Sequence, residues 1–520
     1  MRKRKTALVI AMAAALAVPS TSALACTGLY VGKEASENGA TVIARTVDLH
    51  PLAATFLEVV VDRVENEPGR TYDGVAGFSW ELPDTTYKYT STPMATGMGF
   101  GRYGSACANE CGVAITGTVT AYIRSEIRAM DPPVKGGLCE EVVTELVAAT
   151  CKTAREGVEL IGQIMEELGS SEQNILMIAD QTEAWYVETY TGHQWAAVKM
   201  PEDAVSVYGN EFMIQYLDPE DENVMCSPEL FSMPEEAGLA VKDEESGQMD
   251  IFATYSGRLA NYANRRTWVG HTLLAPSTAG DYATNTKYDL FYKPDEKVSV
   301  EDVLEVFRNR FEGTEFSPDE TGRIDQRVIG TESQGTAHVI EVYDNLPAEM
   351  ACVTWACLAN SEHSVYLPVS NLVTDTAEAF KADTEKDSGL TYDDSMASII
   401  FKRLCALSEQ DRKYYGAGVR DYWHSVELGL LEEYPDVLAE AAKLYETSPE
   451  EAAAYLTEYT IEKQNKALED ANTMYDELTW YMMNNTDTLR YSFSYGTLTM
   501  SDTRNQKPFV PSLAETEEAE

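Results

Sequence analysis

The chain has 520 residues, 44% hydrophobic and 10% aromatic, which is long enough for a large globular domain with an appendage. It carries 85 Asp and Glu against 40 Lys and Arg, for a net charge of −45. A charge of this sign repels the phosphates of nucleic acids and of anionic membrane surfaces, so neither is an expected partner. The charge otherwise favours solubility and indicates no particular chemistry.

The first 25 residues have the anatomy of a secretory signal peptide. A basic run at residues 2–5 precedes an apolar stretch at residues 7–18, and Ala23 and Ala25 are the small residues of a cleavage site. A membrane anchor needs about 20 apolar residues, and this stretch is shorter. We expect removal of residues 1–25, which makes Cys26 the new N-terminus of a secreted or cell-surface protein with no stable membrane span.

A cysteine at a new N-terminus has two interpretations. In a lipoprotein its sulfur carries a lipid anchor, but such signals favour a branched aliphatic residue three positions earlier, where this chain has Ala23. In an enzyme the sulfur is the nucleophile and the α-amine of the same residue is the general base. An α-amine has a pKa of about 7.7–8.0, so a fraction is unprotonated at neutral pH and no partner histidine is needed.

The other cysteines do not form a recognisable metal site. The chain has 9 Cys and 6 His, with no paired CxxC knuckles and no HExxH motif, so zinc is not expected. With Cys26 set apart as a reactive thiol, the remaining cysteines are enough for up to four disulfides outside the cytosol. They are equally well interpreted as small buried residues.

The residues after Cys26 predict a β-hairpin. Residues 27–32 and 40–45 are rich in strand formers, and Asn38-Gly39 between them is a strong turn signal. Pairing about this turn places Cys26 opposite residues 49–51, close to Asp48, whereas Arg45 reaches back only through its long side chain. We therefore expect Asp48 to orient the α-amine or bind a substrate ammonium, and a nearby Arg45 to favour the thiolate.

These residues resemble a known family. Cys26-Thr27, the run VGKEASENGATVIAR and Arg45-x-x-Asp48 are similar to the start of the peptidase family C69 dipeptidases, N-terminal nucleophile hydrolases related to bile salt hydrolases and penicillin V acylases. Ordered blocks extend the resemblance over residues 26–370: NECGVAI at 109–115, PEDAV at 201–205 followed by Asn210, NRRTW at 264–268, LLAP at 273–276, AHV at 337–339, LP at 346–347 and SVYLP at 364–368.

The resemblance implies an α+β fold, the four-layer αββα sandwich of N-terminal nucleophile hydrolases, and cleavage of dipeptides without a cofactor or metal. The site residues that it implies are Cys26, Arg45, Asp48, Asn210 and Arg266. Asn210 is the expected oxyanion donor, and Arg265 is a near-equal alternative to Arg266. A second donor is expected on the strand that ends at residues 118–120, where the residue is left open.

Two other functions stay open. One is an acylase of conjugated bile salts or penicillin V, although those families are usually shorter and lack the LLAP and SVY-P blocks. The other is a lipid-anchored surface binding protein without catalysis. His338, in the strand HVIEVY, is interpreted as a structural or pocket residue, because papain-type Cys–His enzymes place their cysteine inside a helix-opening motif.

The chain is predicted to divide at about residue 377. Residues 26–376 form the catalytic domain, with helices at 140–149 and 153–168 and a hairpin of 174–180 with 184–190. Residues 377–510 form a mostly helical extension, with helices at 435–445 and 448–482, and we prefer an extension packed on the same core to an independent domain. Residues 511–520 are predicted to be an acidic disordered tail. The oligomeric state is not predicted.

Overall fold

The computed structural model describes residues 26–48, 54–55, 59–96, 101–117, 119–284, 286–323, 326–381, 392–484, 489–494, 497–502 and 508–514. The predicted signal peptide, Thr118 and residues 515–520 of the predicted tail lie outside them.

The strands and helices follow one another in an α+β order. The strands are β1 (Thr27–Val31), β2 (Thr41–Asp48), β3 (Ala54–Thr55), β4 (Val59–Val61), β5 (Val64–Glu65), β6 (Thr71–Asp73), β7 (Ser79–Glu81), β8 (Thr85–Thr86), β9 (Tyr89–Thr96), β10 (Gly101–Asn109), β11 (Ala114–Gly117), β12 (Asn174–Ala179), β13 (Ala184–Thr189), β14 (Trp195–Lys199), β15 (Val205–Tyr208), β16 (Val224–Cys226), β17 (Gln334–Val342), β18 (Cys352–Leu358), β19 (Tyr366–Ser370), β20 (Leu489–Ser494) and β21 (Thr497–Asp502). The α-helices are α1 (Ser125–Met130), α2 (Glu140–Thr150), α3 (Ala154–Glu167), α4 (Ser232–Glu236), α5 (Ile251–Tyr255), α6 (Asn261–Leu274), α7 (Pro276–Ala279), α8 (Val300–Arg308), α9 (Pro318–Thr321), α10 (Ala397–Ser408), α11 (Ala417–Tyr445) and α12 (Pro449–Asn484).

Two large antiparallel sheets form the centre of the protein. The six-stranded sheet has the order β15-β1-β2-β17-β18-β19. The nine-stranded sheet has the order β16-β14-β13-β12-β11-β10-β9-β3, with β4 also paired to β9. Because side chains alternate between the two faces of a strand, each sheet has one inner and one outer face.

The inner faces pack on each other. Tyr30, Ile43 and Ile340 of the six-stranded sheet share one apolar cluster with Ile175 and Met177 of the nine-stranded sheet. Cys26 belongs to this inner cluster. The nucleophile candidate therefore lies between the two sheets, immediately before β1.

Helices cover both outer faces. Helices α2 and α3 pack on the nine-stranded sheet, for example through Leu146 and Ile161. The outer face of the six-stranded sheet shares a cluster with α6, α8 and the C-terminal helices α10, α11 and α12. The order helix, sheet, sheet, helix is the predicted four-layer αββα sandwich.

The elements predicted from periodicity are confirmed. Helices α2 and α3 match the helices expected at 140–149 and 153–168, and Thr153 caps α3 by accepting a hydrogen bond from the amide of Glu156. Strands β12 and β13 pair as the predicted hairpin. In the C-terminal part, α11 contains the segment 435–445 and α12 matches 448–482.

The predicted register of the first hairpin is wrong. Thr27 pairs with Thr46 and Gly28 with Arg45, so the pairing is shifted by several residues from the one expected about Asn38-Gly39. The reason is that the connection is a long loop rather than a tight turn. The amides of Ala35 and Ser36 bond back to Gly32, and the Asn38 side chain accepts from the amide of Ala40.

The C-terminal helices share the core of the outer layer. In this layer the ring of Trp355 on β18 packs at 5.6 Å from that of Tyr434 on α11. Residues 511–514, assigned above to the tail, are packed: Pro511 is buried, and the amide of Ser512 donates to Glu477 at 3.0 Å. Residues 511–514 therefore belong to the packed part of the protein and not to a disordered tail.

All nine cysteines fall within the described residues, and none forms a disulfide there. Most are buried, so the structure agrees with the interpretation of small core residues. In the described part of the chain, no helix combines the length and apolar character needed to cross a membrane.

Candidate active site

Arg45 contacts the sulfur of Cys26 directly. Alternate side chains of β2 point to the inner face of the sheet, and Arg45 is one of them, between Ile43 and Val47. Cys26, immediately before β1, lies on the same face. Its Nη2 donates to the Cys26 Sγ at 3.3 Å, and its Nη1 to the carbonyl of Ser105 at 3.5 Å. A buried guanidinium at this distance stabilises a negatively charged sulfur, the form that attacks a carbonyl.

Arg266 reaches the other side of the same residue from α6. Its Nη1 donates to the Cys26 carbonyl oxygen at 2.6 Å and to the Thr27 hydroxyl at 3.0 Å. The side chain is fully buried, and burial lowers its pKa to about 10, which leaves it charged at neutral pH. Arg266 therefore holds the backbone of the nucleophile candidate in place.

Asn210 follows β15 and is held by the same arginine. Arg266 Nη2 donates to the Asn210 Oδ1 at 2.8 Å, and the Asn210 Nδ2 donates to the carbonyl of Thr120 at 2.9 Å. These bonds define which end of the amide is the donor, although an amide's orientation in a structure is otherwise ambiguous. The predicted oxyanion donor thus lies one side chain away from Cys26.

The structure separates the two candidate arginines on α6. Arg265 donates to the side chain of Gln326 and lies over the ring of Phe316 at 4.0 Å. Successive helical residues point about 100° apart, so only one of the two can face β1. Arg266 is the residue at the site.

Asp48 does not contact Cys26 in the way expected. Its Oδ2 forms an ion pair with Arg327, a residue that sequence reasoning did not identify. No hydrogen bond joins Asp48 to Cys26 among the described residues. Burial raises the pKa of the Asp48 carboxyl, and Arg327, Arg266 and Arg45 act against this. The alternation of side chains along β2 explains the difference: Arg45 and Val47 point to the face on which Cys26 lies, and Asp48 points to the other face.

Tyr208 is a second residue missed by sequence reasoning. It lies on β15 opposite Gly28, and a Cβ on Gly28 would come within 2.2 Å of its ring. The ring packs edge-on against Tyr186 at 5.1 Å. Burial raises the pKa of the Tyr208 hydroxyl, with Arg45 opposing. Because Gly28 has no side chain, the ring of Tyr208 can lie across β1 next to Cys26. The sequence Cys-Thr-Gly alone does not predict this contact.

His338 bridges the two sheets. It pairs with Arg45 across β17 and β2, and its Nε2 lies 2.6 Å from the hydroxyl of Thr116 on β11. Burial, with a further contribution from Arg45, lowers the pKa of the imidazole well below its usual value. The ring is neutral and hydrogen-bonded between the sheets, in line with the structural interpretation.

Within the described part of the chain, one group of side chains outside the contacts of Cys26 has the residue types of a metal site. Ligand atoms of Glu362, His363 and Glu409 lie within 4.8 Å of one another. Arg412 pairs with both carboxylates, and Arg420 Nη1 pairs with Glu362 at 2.7 Å. Because two guanidiniums already balance the two carboxylates, a dication would have to displace them, and we assign no metal here.

Comparison with known proteins places the chain in a family. Residues 25–424 match the model of peptidase family C69. The chain therefore belongs to this peptidase family. It is similar to probable dipeptidase B of Streptococcus pyogenes serotype M1, at 29% identity over 475 residues, or 88% of this chain and 93% of the relative. It is also 30% identical over 442 residues to probable dipeptidase B of Lactococcus lactis subsp. lactis (strain IL1403), covering 83% and 90%.

A solved structure, a mutant of the conjugated bile acid hydrolase from Clostridium perfringens, is 10% identical and covers 66% of this chain and 92% of that chain. Its TM-score is 0.28. A score this low does not establish a common fold, and the four layers described above rest on the chain's own sheets and helices.

Proposed function

We propose that this peptidase is a secreted cysteine-type dipeptidase whose nucleophile is Cys26. The observation that carries the proposal is the contact between the Cys26 sulfur and the buried guanidinium of Arg45, at 3.3 Å. Membership of peptidase family C69 supports amide hydrolysis, and the relatives named above as probable dipeptidases support dipeptide substrates. Export rests on the signal-peptide pattern of residues 1–25.

The proposed reaction has two halves. After removal of residues 1–25, the α-amine of Cys26 accepts the thiol proton, and the sulfur attacks the scissile carbonyl carbon. Asn210, oriented by Arg266, donates to the oxyanion of the tetrahedral intermediate. The carbon–nitrogen bond then breaks, the leaving amine takes the proton from the Cys26 ammonium, and a thioester remains. Water, deprotonated by the same amine, hydrolyses the thioester.

The first test is the chemical state of the mature N-terminus. We expect intact mass and N-terminal sequencing of secreted protein to show a free α-amine on an unmodified Cys26. A diacylglycerol adduct would instead indicate the lipid-anchored binding protein, because an alkylated sulfur cannot attack. A mature chain with one extra residue before Cys26 should be inactive, since the base becomes an amide.

The second test is the nucleophile itself. Cys26→Ala should lower kcat on dipeptides by roughly 10⁴-fold or more, because the covalent route is lost. Cys226→Ala is the matched control: this thiol is half-buried on β16, and its loss should leave kcat unchanged. Activity retained in Cys26→Ala would place the nucleophile elsewhere. A panel of dipeptides assayed beside glycocholate and penicillin V identifies the substrate class, and turnover of the conjugate alone would favour the acylase.

A further inference from the structure

A buried carboxylate, that of Glu188, lies on the inner face of the nine-stranded sheet. Glu188 follows Tyr186 by two positions on β13, so the two side chains point to the same face, and Tyr186 belongs to the inner cluster that also contains Cys26. The Glu188 side chain is fully buried. A carboxylate in such a place costs free energy unless hydrogen bonds satisfy its oxygens.

Four donors of the described chain bond to Glu188. The hydroxyl of Tyr186 donates to its Oε1 at 2.8 Å, and that of Tyr190 to its Oε2 at 2.9 Å. The other two donors are the backbone amides of Met213 and Ile214, which both bond to Oε1, the second at 3.2 Å. The carboxylate thus links β13 to residues that lie 25 and 26 positions further along the chain.

These two amides belong to the segment that carries Asn210. Strand β15 ends at Tyr208, and residues 209–218 form neither a helix nor a strand, although residues 209–214 are buried. Buried backbone outside a ladder still needs acceptors for its N–H groups. Glu188 is that acceptor for two successive amides, three and four residues after Asn210.

The position of Glu188 within the sheet makes it a fixed reference for this segment. Strand β13 is an interior strand, paired with β12 on one side and β14 on the other. The remaining described contacts of the segment come from helices and loops: Arg266 donates to the Asn210 side chain, and Lys287 Nζ donates to the carbonyl of Phe212 at 3.0 Å. A shift of about 1 Å in a group that contacts the transition state can cost 10²-fold in rate.

We infer that Glu188 is a positioning residue for the oxyanion donor, because it holds the backbone that follows Asn210 and so sets where the Asn210 amide lies. The inference rests on the function proposed above, in which Asn210 donates to the oxyanion. Positioning of this kind requires an acceptor oxygen at the right distance and does not require a negative charge. A glutamine keeps that oxygen, and its Nε2 can donate to the Tyr190 hydroxyl, whereas an aspartate keeps the charge but is one methylene group shorter.

The test compares Glu188→Gln with Glu188→Asp in the mature enzyme, by steady-state kinetics on one dipeptide. Glu188→Gln should stay within about threefold of the wild-type kcat, since the amides of Met213 and Ile214 keep their acceptor. Glu188→Asp should lower kcat by roughly 10- to 100-fold. Its KM should change less than about threefold, because the oxyanion donor acts in the transition state.

A double-mutant cycle with Asn210→Ala separates positioning from a general structural role. Asn210→Ala alone should lower kcat by roughly 10²–10³-fold, the usual cost of losing an oxyanion-hole donor. Because Glu188 acts through Asn210, Glu188→Asp should cost less than about threefold more in that background. An equal loss from Glu188→Asp in both backgrounds would overturn the inference.

Glu341→Asp is the matched control. Glu341 is also a fully buried carboxylate on a strand, and its described partners are the side chains of Asn38, Tyr343 and Trp355. The same shortening there should leave kcat within about threefold of wild type.

Two further results would overturn the inference: a loss in Glu188→Gln as large as that in Glu188→Asp, which would mean that the charge matters, and a wild-type kcat in Glu188→Asp. If Glu188→Asp does not fold, Glu188→Gln still decides, since a loss of more than tenfold in that variant overturns the inference. A wild type that cleaves no dipeptide overturns the proposed function itself. A wild type that does cleave dipeptides, with Asn210→Ala unimpaired, overturns the oxyanion role of Asn210 and the inference with it.

Discussion

At the scale of single residues, one arginine donates hydrogen bonds to three groups of the candidate site. Arg266 donates to the Cys26 carbonyl, the Thr27 hydroxyl and the Asn210 amide oxygen, all from a fully buried position. It therefore positions both the nucleophile candidate and the proposed oxyanion donor. Its neighbour Arg265 has the same chemistry but contacts Phe316 and Gln326 instead.

This contrast gives a paired prediction. Arg266→Gln should lower kcat by roughly 10²–10³-fold, the usual cost of losing an oxyanion-hole donor, because Asn210 is no longer oriented. Arg265→Gln should stay within about threefold of wild type, since its contacts lie away from the sulfur. Steady-state kinetics on one dipeptide measure both, with circular dichroism as the check on folding. Similar losses in the two variants would contradict the assignment of Arg266.

At the scale of the elements, the two sheets meet at one polar contact beside the site. His338 on β17 bonds to Thr116 on β11, next to Arg45 on β2. The inner cluster around it is otherwise largely apolar, and burial keeps the imidazole neutral. A neutral, sheet-bridging histidine stabilises the sandwich and takes no proton from Cys26.

His338 should make stability depend on pH. The unfolded histidine has a pKa of about 6.5, and the folded one lies well below it. Between these values the unfolded chain binds a proton that the folded chain does not, so the free energy of unfolding falls as the pH drops. The His338 contribution is about 1.4 kcal/mol per pH unit below about 6.5.

In the His338→Gln variant, the side chain at this position does not bind a proton in either the folded or the unfolded state. Urea denaturation from pH 7.5 to pH 5 should therefore show a dependence shallower by one proton than that of wild type. The amide of glutamine can still bond Thr116, and kcat should fall less than tenfold. A loss of 10³-fold or more would instead indicate a Cys–His dyad.

At the scale of the whole molecule, the C-terminal helices are joined to the catalytic sheets by a buried ion pair. Arg308 at the end of α8 contacts Glu427 on α11 at 2.7 Å, and their side chains are 9% and 1% exposed. Glu427 Oε1 also accepts from the amide of Tyr366 on β19 at 2.9 Å. One carboxylate thus connects three elements of the outer layer.

Removal of that charge should destabilise the whole chain. Glu427→Gln leaves Arg308 buried without a counter-charge, and we expect the free energy of unfolding to fall by about 3–5 kcal/mol. Glu433→Gln, on the same helix, breaks a partly exposed pair with Lys463 and should cost less than about 1 kcal/mol. Urea unfolding followed by fluorescence and circular dichroism should show one common transition. Two separate transitions would mean that the helices form an independent domain.

The sequence by itself determined the local features of this protein. The spacing of apolar residues defines α2, α3, β12 and β13, because amphipathic periodicity depends on the neighbouring residues alone. The ordered motifs identified the family, and the resemblance predicted Cys26, Arg45, Asp48, Asn210 and Arg266 as site residues. That resemblance also implied the four layers that the sheets and helices then displayed.

Only the tertiary structure decided how these residues meet. The register of the first hairpin depends on the loop at 32–40, whose backbone folds back on Gly32. This register brings Arg45 within reach of the Cys26 sulfur, on the same face of β2. The choice of Arg266 over Arg265 depends on a contact between residues 240 positions apart. The pairing of Arg327 with Asp48 joins residues 279 positions apart. Such contacts are set by the packing of whole layers, and no local pattern encodes them.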